Sequence, residues 1–170
     1  MTYFDLFEIP VQLIIDKSSL PHKYFALSRK YHPDYSVNES PEAQAEALEK
    51  SAMLNKAFRT FQEPDETIKY VLQLKGLLEE EEKYELPSDF LMEVMEVNEA
   101  LMDAEGEEDK IKIKQVIDNL QREIYESVEK IVESYKEGVT SKEELLQVKE
   151  YYYKKKYIDR VRREFQQNRE

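Results

Sequence analysis

The 170-residue chain has no cysteine, no tryptophan and only three glycines. Without cysteine it carries no disulfide framework, no thiol nucleophile and no cysteine-ligated zinc or iron–sulfur site of its own. The glycines are Gly76, Gly106 and Gly138. Each stands alone between helical stretches, so there is no phosphate-cradling loop of the kind nucleotide-binding enzymes use. Only two histidines are present, His22 and His32, and neither completes the Glu-x-x-His pair that di-iron helical bundles require. No catalytic residue, metal site or cofactor is expected. No apolar run approaches the roughly 20 residues of a membrane span, and residues 1–5 lack a basic leader or an Arg-rich transit pattern. A soluble protein of the cytoplasmic type is the expectation.

The chain is rich in charge. Charged residues make up 36% of it and the net charge is −12, which argues against nucleic acid or an anionic membrane as a general partner. The negative charge is concentrated: residues 79–109 hold fourteen acidic side chains and one lysine, a local charge of −13. Hydrophobic residues reach 41%, enough for a core, and abundant Glu, Lys, Leu and Gln without strand-like alternation point to an all-α chain.

Apolar spacing marks the elements. Tyr3, Phe4, Leu6, Phe7 and Ile9 form a short opening helix closed by Pro10. A second helix is expected over 16–31, with Leu20, Tyr24, Leu27 and Tyr31 inward at spacings of four, three and four. Asp16 is a good cap for it, but Pro21 would then lie inside, which places an alternative start of the first regular turn nearer Ser19. Ser40 followed by Pro41 and Glu42 starts a third helix with Ala47, Ser51, Leu54, Phe58 and Phe61 on one face. Pro64, Asp65 and Glu66 open a fourth through Ile68 and Leu72, ending at Gly76.

The acidic stretch 79–87 has no periodic face and marks a boundary. Beyond it, Ser88 is expected to cap a helix to about Asp103. One long helix should follow over 108–137, carrying Ile113, Ile117, Leu120, Ile124, Ile131 and Tyr135. Thr140 with Glu143 reads as a capping box for a last helix, with Leu145, Val148, Tyr152, Val161 and Phe165 inward and fraying after Phe165.

Three features carry functional information. His32, Pro33 and Asp34 sit where the second helix must stop, and proline holds His32 out of the helical region so that His32 and Asp34 face outward from a stiff loop. The stretch leading into them, over 17–32, contains Lys17, Lys23, Arg29 and Lys30 and no acid, a one-sign face suited to an acidic partner. In the helix from Ser88, Phe90, Val94, Val97 and Leu101 form the inward stripe. Leu91, Met92, Met95 and Met102 fall on the opposite side among Glu96, Glu99 and Asp103, the pattern of an adaptable binding patch. Cover by the third helix of the bundle, or a weak homodimer through Leu91, Met92 and Met95, are the other readings these residues leave open. A basic island over 149–163, with Lys154, Lys155, Lys156, Arg160, Arg162 and Arg163, reads as a solvated face pairing with the acidic segment. His22, beside Pro21, reads as a surface residue.

An aromatic opening helix, a basic second helix ending in His32, Pro33 and Asp34, and a third helix with Ser51, Ala52, Asn55, Ala57 and Phe58 before Pro64 together resemble a J-domain. More closely, the chain resembles the HscB family of iron–sulfur cluster co-chaperones along its whole length. The resemblance implies a J-domain over 1–76 (a helical hairpin with short flanking helices), an acidic linker over 77–87 and a C-terminal three-helix scaffold-binding domain over 88–170. It implies that His32, Pro33, Asp34, Lys23, Arg29 and Lys30 engage a DnaK/HscA-type chaperone and stimulate its ATPase. It also implies that Leu91, Met92, Met95, Glu96, Glu99 and Asp103, with Tyr157 on the last helix, bind an IscU-like scaffold. A J-domain protein for unfolded clients is the neighbouring alternative, and a non-chaperone homodimeric adaptor the distant one. Three positions depart from the family pattern: Tyr35 and Ser36 stand where a lysine and an aromatic are common, and Glu8 replaces a glycine usual in the first loop.

Overall fold

The computed structural model describes residues 1–167, and all regular structure among them is helical. The chain divides into two compact units, one comprising Met1–Leu74 with Tyr135–Val139, the other Lys75–Ser134 with Thr140–Glu170. Among the described residues no helix is long and apolar enough to cross a membrane.

The first unit contains α1 (Tyr3–Phe7), α2 (Leu20–Lys30), α3 (Pro41–Gln62) and α4 (Pro64–Leu74). Thr2 caps α1 in a reciprocal box with Asp5. Helix α2 begins at Leu20 with Pro21 in its first turn, where a missing N–H costs nothing. Asp16 does not cap it, because its carboxylate accepts from the backbone and hydroxyl of Ser18 instead. Ser40 caps α3 as expected, its Oγ accepting from the Ala43 amide at 3.2 Å. Gly76, just past α4, takes φ +70°, the left-handed conformation that ends helices.

The core of this unit is aromatic. Phe4, Phe7 and Phe61 are fully buried with Leu13, Leu54 and Leu72, and the ring of Phe61 lies 5.0 Å from Phe4 and 5.3 Å from Phe7. Tyr3 stacks on Tyr70 at 4.2 Å while its amide donates to the Tyr70 hydroxyl. Of the inward set expected on α2 only Leu20 is buried; Tyr24, Leu27 and Tyr31 are half-buried. The α2–α3 hairpin is closed from outside by Tyr24, which stacks on Phe58 at 4.2 Å and hydrogen-bonds Asn55 at 2.7 Å.

The second unit holds α5 (Ser88–Met102), α6 (Gly106–Glu126), the one-turn α7 (Glu129–Glu133) and α8 (Lys142–Gln167). Phe90, Val94 and Val97 of α5, Ile113, Ile117, Leu120 and Ile124 of α6, and Leu145, Val148, Tyr152, Ile158, Val161 and Phe165 of α8 are buried. Burial of each such side chain contributes roughly 1.5–3 kcal/mol. The architecture is all-α, as the periodicity predicts, and the helical hairpin with short flanking helices followed by a three-helix bundle is the one the resemblance implies.

Boundaries differ in three places. The single helix expected over 108–137 is interrupted at 127–128: the Ser127 hydroxyl bonds the Ile124 carbonyl at 2.7 Å, and Val128 leaves helical geometry at φ −123°, ψ −1°. Val128 and Val132 then carry the buried stripe that Ile131 and Tyr135 were expected to carry. The capping box of α8 lies one residue later than expected, with Ser141 Oγ accepting from the Glu144 amide and Glu144 accepting from the Ser141 amide. Ser88 is the first residue of α5, and Pro87 occupies the cap position. Helix α8 is described through Gln167; residues 168–170, where most of the fraying expected after Phe165 falls, lie outside the described residues, with that end of the range 88–170.

Residues 77–87 belong to the second unit and are packed. Glu82 accepts from Lys149 Nζ at 2.9 Å and from the Tyr153 hydroxyl at 3.0 Å, and Tyr84 stacks on Tyr153 at 4.5 Å. These contacts span 67 residues and more of sequence, so no local pattern could announce them.

Candidate functional site

Each unit carries one candidate surface. In the first, α2 ends at Tyr31 and His32 turns the chain with φ −62° and ψ 130°, the extended geometry that a following proline imposes. Pro33–Ser36 then forms a single 3₁₀ turn, an ordered element where a loop was expected. Buried Ser36 anchors it by donating to the Pro33 carbonyl at 2.9 Å. His32 Nδ1 accepts from the Asp34 amide at 3.2 Å. The same ring nitrogen lies 3.5 Å from the Asp34 carboxylate, an ion pair whenever the imidazole is protonated. The Asp34 side chain is 85% exposed. The turn thus presents an exposed carboxylate, the group that a bidentate arginine contact uses.

The cations of α2 flank this turn. Lys23 and Lys30 are seven residues apart and fall on one line of the helix, with Arg29 about 100° round from Lys30. Arg29 and Lys30 are exposed and Lys23 is half-buried. Tyr31 lies between Lys30 and Lys50, each ammonium 5.3 Å from its ring, while Lys50 pairs with Glu46 at 2.8 Å. Phe25, 63% exposed on the outer side of α2, was not anticipated; its only sequence signal is that it falls off the inward spacing.

Glu8 takes φ 55° and ψ 43° at the end of α1. The backbone therefore keeps the left-handed turn that a glycine would adopt freely, at the steric cost of a Cβ.

In the second unit, α5 is two-faced. Phe90, Val94 and Val97 are buried, while Met92 and Met95 are 63% and 59% exposed and Glu96, Glu99 and Asp103 are exposed beside them. Leu91 is half-buried. Tyr157 of α8 meets α5 edge-on, 6.4 Å from Phe90, and lines an open cleft of about 760 Å³ together with Leu91. The fold thus brings Leu91 and Tyr157 to one surface, with Met95 one turn further along α5. Glu96 also rims a second groove, of about 400 Å³, floored by Val97, Ile113 and Leu120. The island over 149–163 is mostly paired: Lys149 with Glu82, Lys154 with Glu150, Lys155 with Asp159, Arg160 with Glu164 and Arg162 with Asp118. Of these, only the Lys149 pair reaches into the acidic stretch 79–109.

Hydrogen bonding sets the protonation of two of these carboxyls. Lys149 first, and Tyr153 with it, hold Glu82 below its ordinary value, and in turn burial and the Glu82 carboxylate push the Tyr153 hydroxyl well up. Arg162 does the same for Asp118, lowering it.

Residues 86–166 match the family model described as the HSCB C-terminal oligomerisation domain. The crystal structure of the human co-chaperone protein HscB is 26% identical, with a TM-score of 0.78, and the match covers 99% of this chain and 82% of the human one. The chaperone HscB from Vibrio cholerae is 25% identical with a TM-score of 0.73, covering 99% of this chain and 98% of that one. The first unit is accordingly a J-domain and the second the C-terminal helical domain. The chain is thus similar to the HscB co-chaperones over nearly its whole length, and residues 86–166 to their C-terminal domain.

Proposed function

We propose that this protein carries an IscU-like iron–sulfur scaffold to a DnaK/HscA-type chaperone and stimulates ATP hydrolysis there, in the maturation of iron–sulfur proteins in the cytoplasm. It has no chemistry of its own. In this reading residues 1–76 address the chaperone and residues 88–170 the cargo, with 77–87 between them.

The observation that carries the reading is the His32–Asp34 turn. Its conformation is fixed by Pro33, by the Nδ1 contact and by buried Ser36, so little conformational entropy is lost when Asp34 meets a cationic partner. Lys23, Arg29 and Lys30 steer the encounter toward an acidic surface on the ATPase. Cargo recognition falls to the exposed methionines, whose unbranched, polarizable side chains adapt to an apolar partner surface, with Leu91 and Tyr157 at one edge and Glu96, Glu99 and Asp103 along the other.

The test is the steady-state ATPase of a purified DnaK- or HscA-type chaperone. Asp34→Asn and, separately, His32→Gln should leave helicity and melting temperature unchanged and remove stimulation. Full stimulation by both variants would overturn the assignment. A second reading, self-association through Leu91, Met92 and Met95, is favoured by the oligomerisation named in the matching family model. It predicts a dimer in light scattering that Met92→Ala with Met95→Ala converts to a monomer.

A further inference from the structure

Within the basic island two cations stand apart. Lys156 and Arg163 have no ion-pair partner among the described residues, although the chain carries twelve excess negative charges and five neighbouring cations all find a carboxylate. With Arg160 they follow the i, i+4, i+7 spacing of a single helical stripe. That stripe forms one wall of the cleft beside α5. Tyr84 and Tyr153 stacked in parallel, together with Leu86, Leu91 and Tyr157, give the cleft an apolar lining.

We propose that this cleft receives an acidic, extended segment of the scaffold protein, its carboxylates on Lys156, Arg160 and Arg163 and an aliphatic or aromatic side chain against Tyr84 and Tyr157. The proposal rests on the reading of the α5 face as the cargo surface. Two observations select this occupant. Leu91 and Tyr157 belong both to the cleft and to the candidate cargo face, so a protein lying over Leu91, Met92 and Met95 extends into the cleft without a second docking event. The two cations without an ion pair among the described residues favour negative charge on the occupant, whereas Glu82 and Glu85, with Lys83 between them, make the opposite wall mixed in sign and less suited to a continuous polyanion such as nucleic acid. The cargo surface is then polarised, with carboxylates along α5 and cations along α8, and only a partner with the complementary order of charge docks in register.

Calorimetric titration of the full chain with an IscU-class scaffold protein, at about 50 mM and about 300 mM salt, tests this. Lys156→Glu with Arg163→Glu should weaken binding about tenfold or more at low salt and flatten the salt dependence, with circular dichroism and melting temperature unchanged. Lys156→Gln with Arg163→Gln should weaken it less. Met92→Ala with Met95→Ala should weaken it at both salts and leave the salt dependence intact. If the charge reversal has no effect while the methionine pair does, the cleft is not used and the cargo surface stands. If neither matters, the cargo reading itself fails. A wild-type dimer that the charge reversal alone dissociates assigns the cleft to a second copy and overturns the proposal.

Discussion

Replacing Glu82 by glutamine removes one charge from a segment whose packing depends on it. Glu82 accepts from Lys149 at 2.9 Å, from Tyr153 at 3.0 Å and from the Glu79 amide at 3.3 Å. The Lys149 and Glu82 side chains are only 13% and 22% exposed, so the pair is worth more than the usual surface salt bridge. Two charge-assisted bonds at a partly buried site, weakened rather than deleted by the isosteric amide, correspond to about 1–2 kcal/mol. At a typical urea slope that is about 0.5–1 M in the unfolding midpoint. The pH dependence follows from the lowered folded value of Glu82. A carboxyl depressed on folding stabilises fully above its unfolded value of about 4.3, and that contribution is lost as pH falls through the lower folded value. Urea titrations of the wild type and Glu82→Gln by circular dichroism should therefore differ at pH 7 and converge toward pH 3. Equal midpoints at pH 7, or a difference that does not shrink in acid, would refute the reasoning.

Glu8→Gly should raise stability by about 1 kcal/mol in urea unfolding, since it relieves a left-handed backbone at an exposed position, and the gain should not depend on pH. Met92→Ala with Met95→Ala should shift the melting temperature by no more than a few degrees, because both side chains are largely in solvent, so any loss of scaffold binding is a surface effect.

What the sequence discloses is what local spacing encodes. The 4-3-4 intervals of Ile113, Ile117, Leu120 and Ile124, and the opposed faces of α5, are properties of single helices and can be read from one segment. The break after Glu126 is not: Ser127 is unremarkable in a helix until its hydroxyl takes the Ile124 carbonyl, and Val128 and Val132 take up the buried stripe only once the chain has turned. Capping signals overlap at 140–144, where Thr140 with Glu143 and Ser141 with Glu144 fit the same rule and geometry decides between them. Residues 77–87 look like a linker because their partners, Lys149 and Tyr153, lie on α8. For the surfaces, exposure of Met92, Met95 and the His32–Asp34 turn follows from periodicity and proline chemistry. Which two of the cations between 149 and 163 have no ion-pair partner among the described residues depends on where Glu82, Asp118, Glu150, Asp159 and Glu164 fall in three dimensions.

The central claim is that one protein couples cargo to ATP turnover. Single-turnover ATP hydrolysis by a purified HscA- or DnaK-type chaperone, measured with this protein and with or without an IscU-class scaffold, tests it most directly. The account predicts modest stimulation by the co-chaperone alone, a larger-than-additive rate when the scaffold is present, and loss of both with Asp34→Asn. A rate indifferent to the scaffold would contradict it.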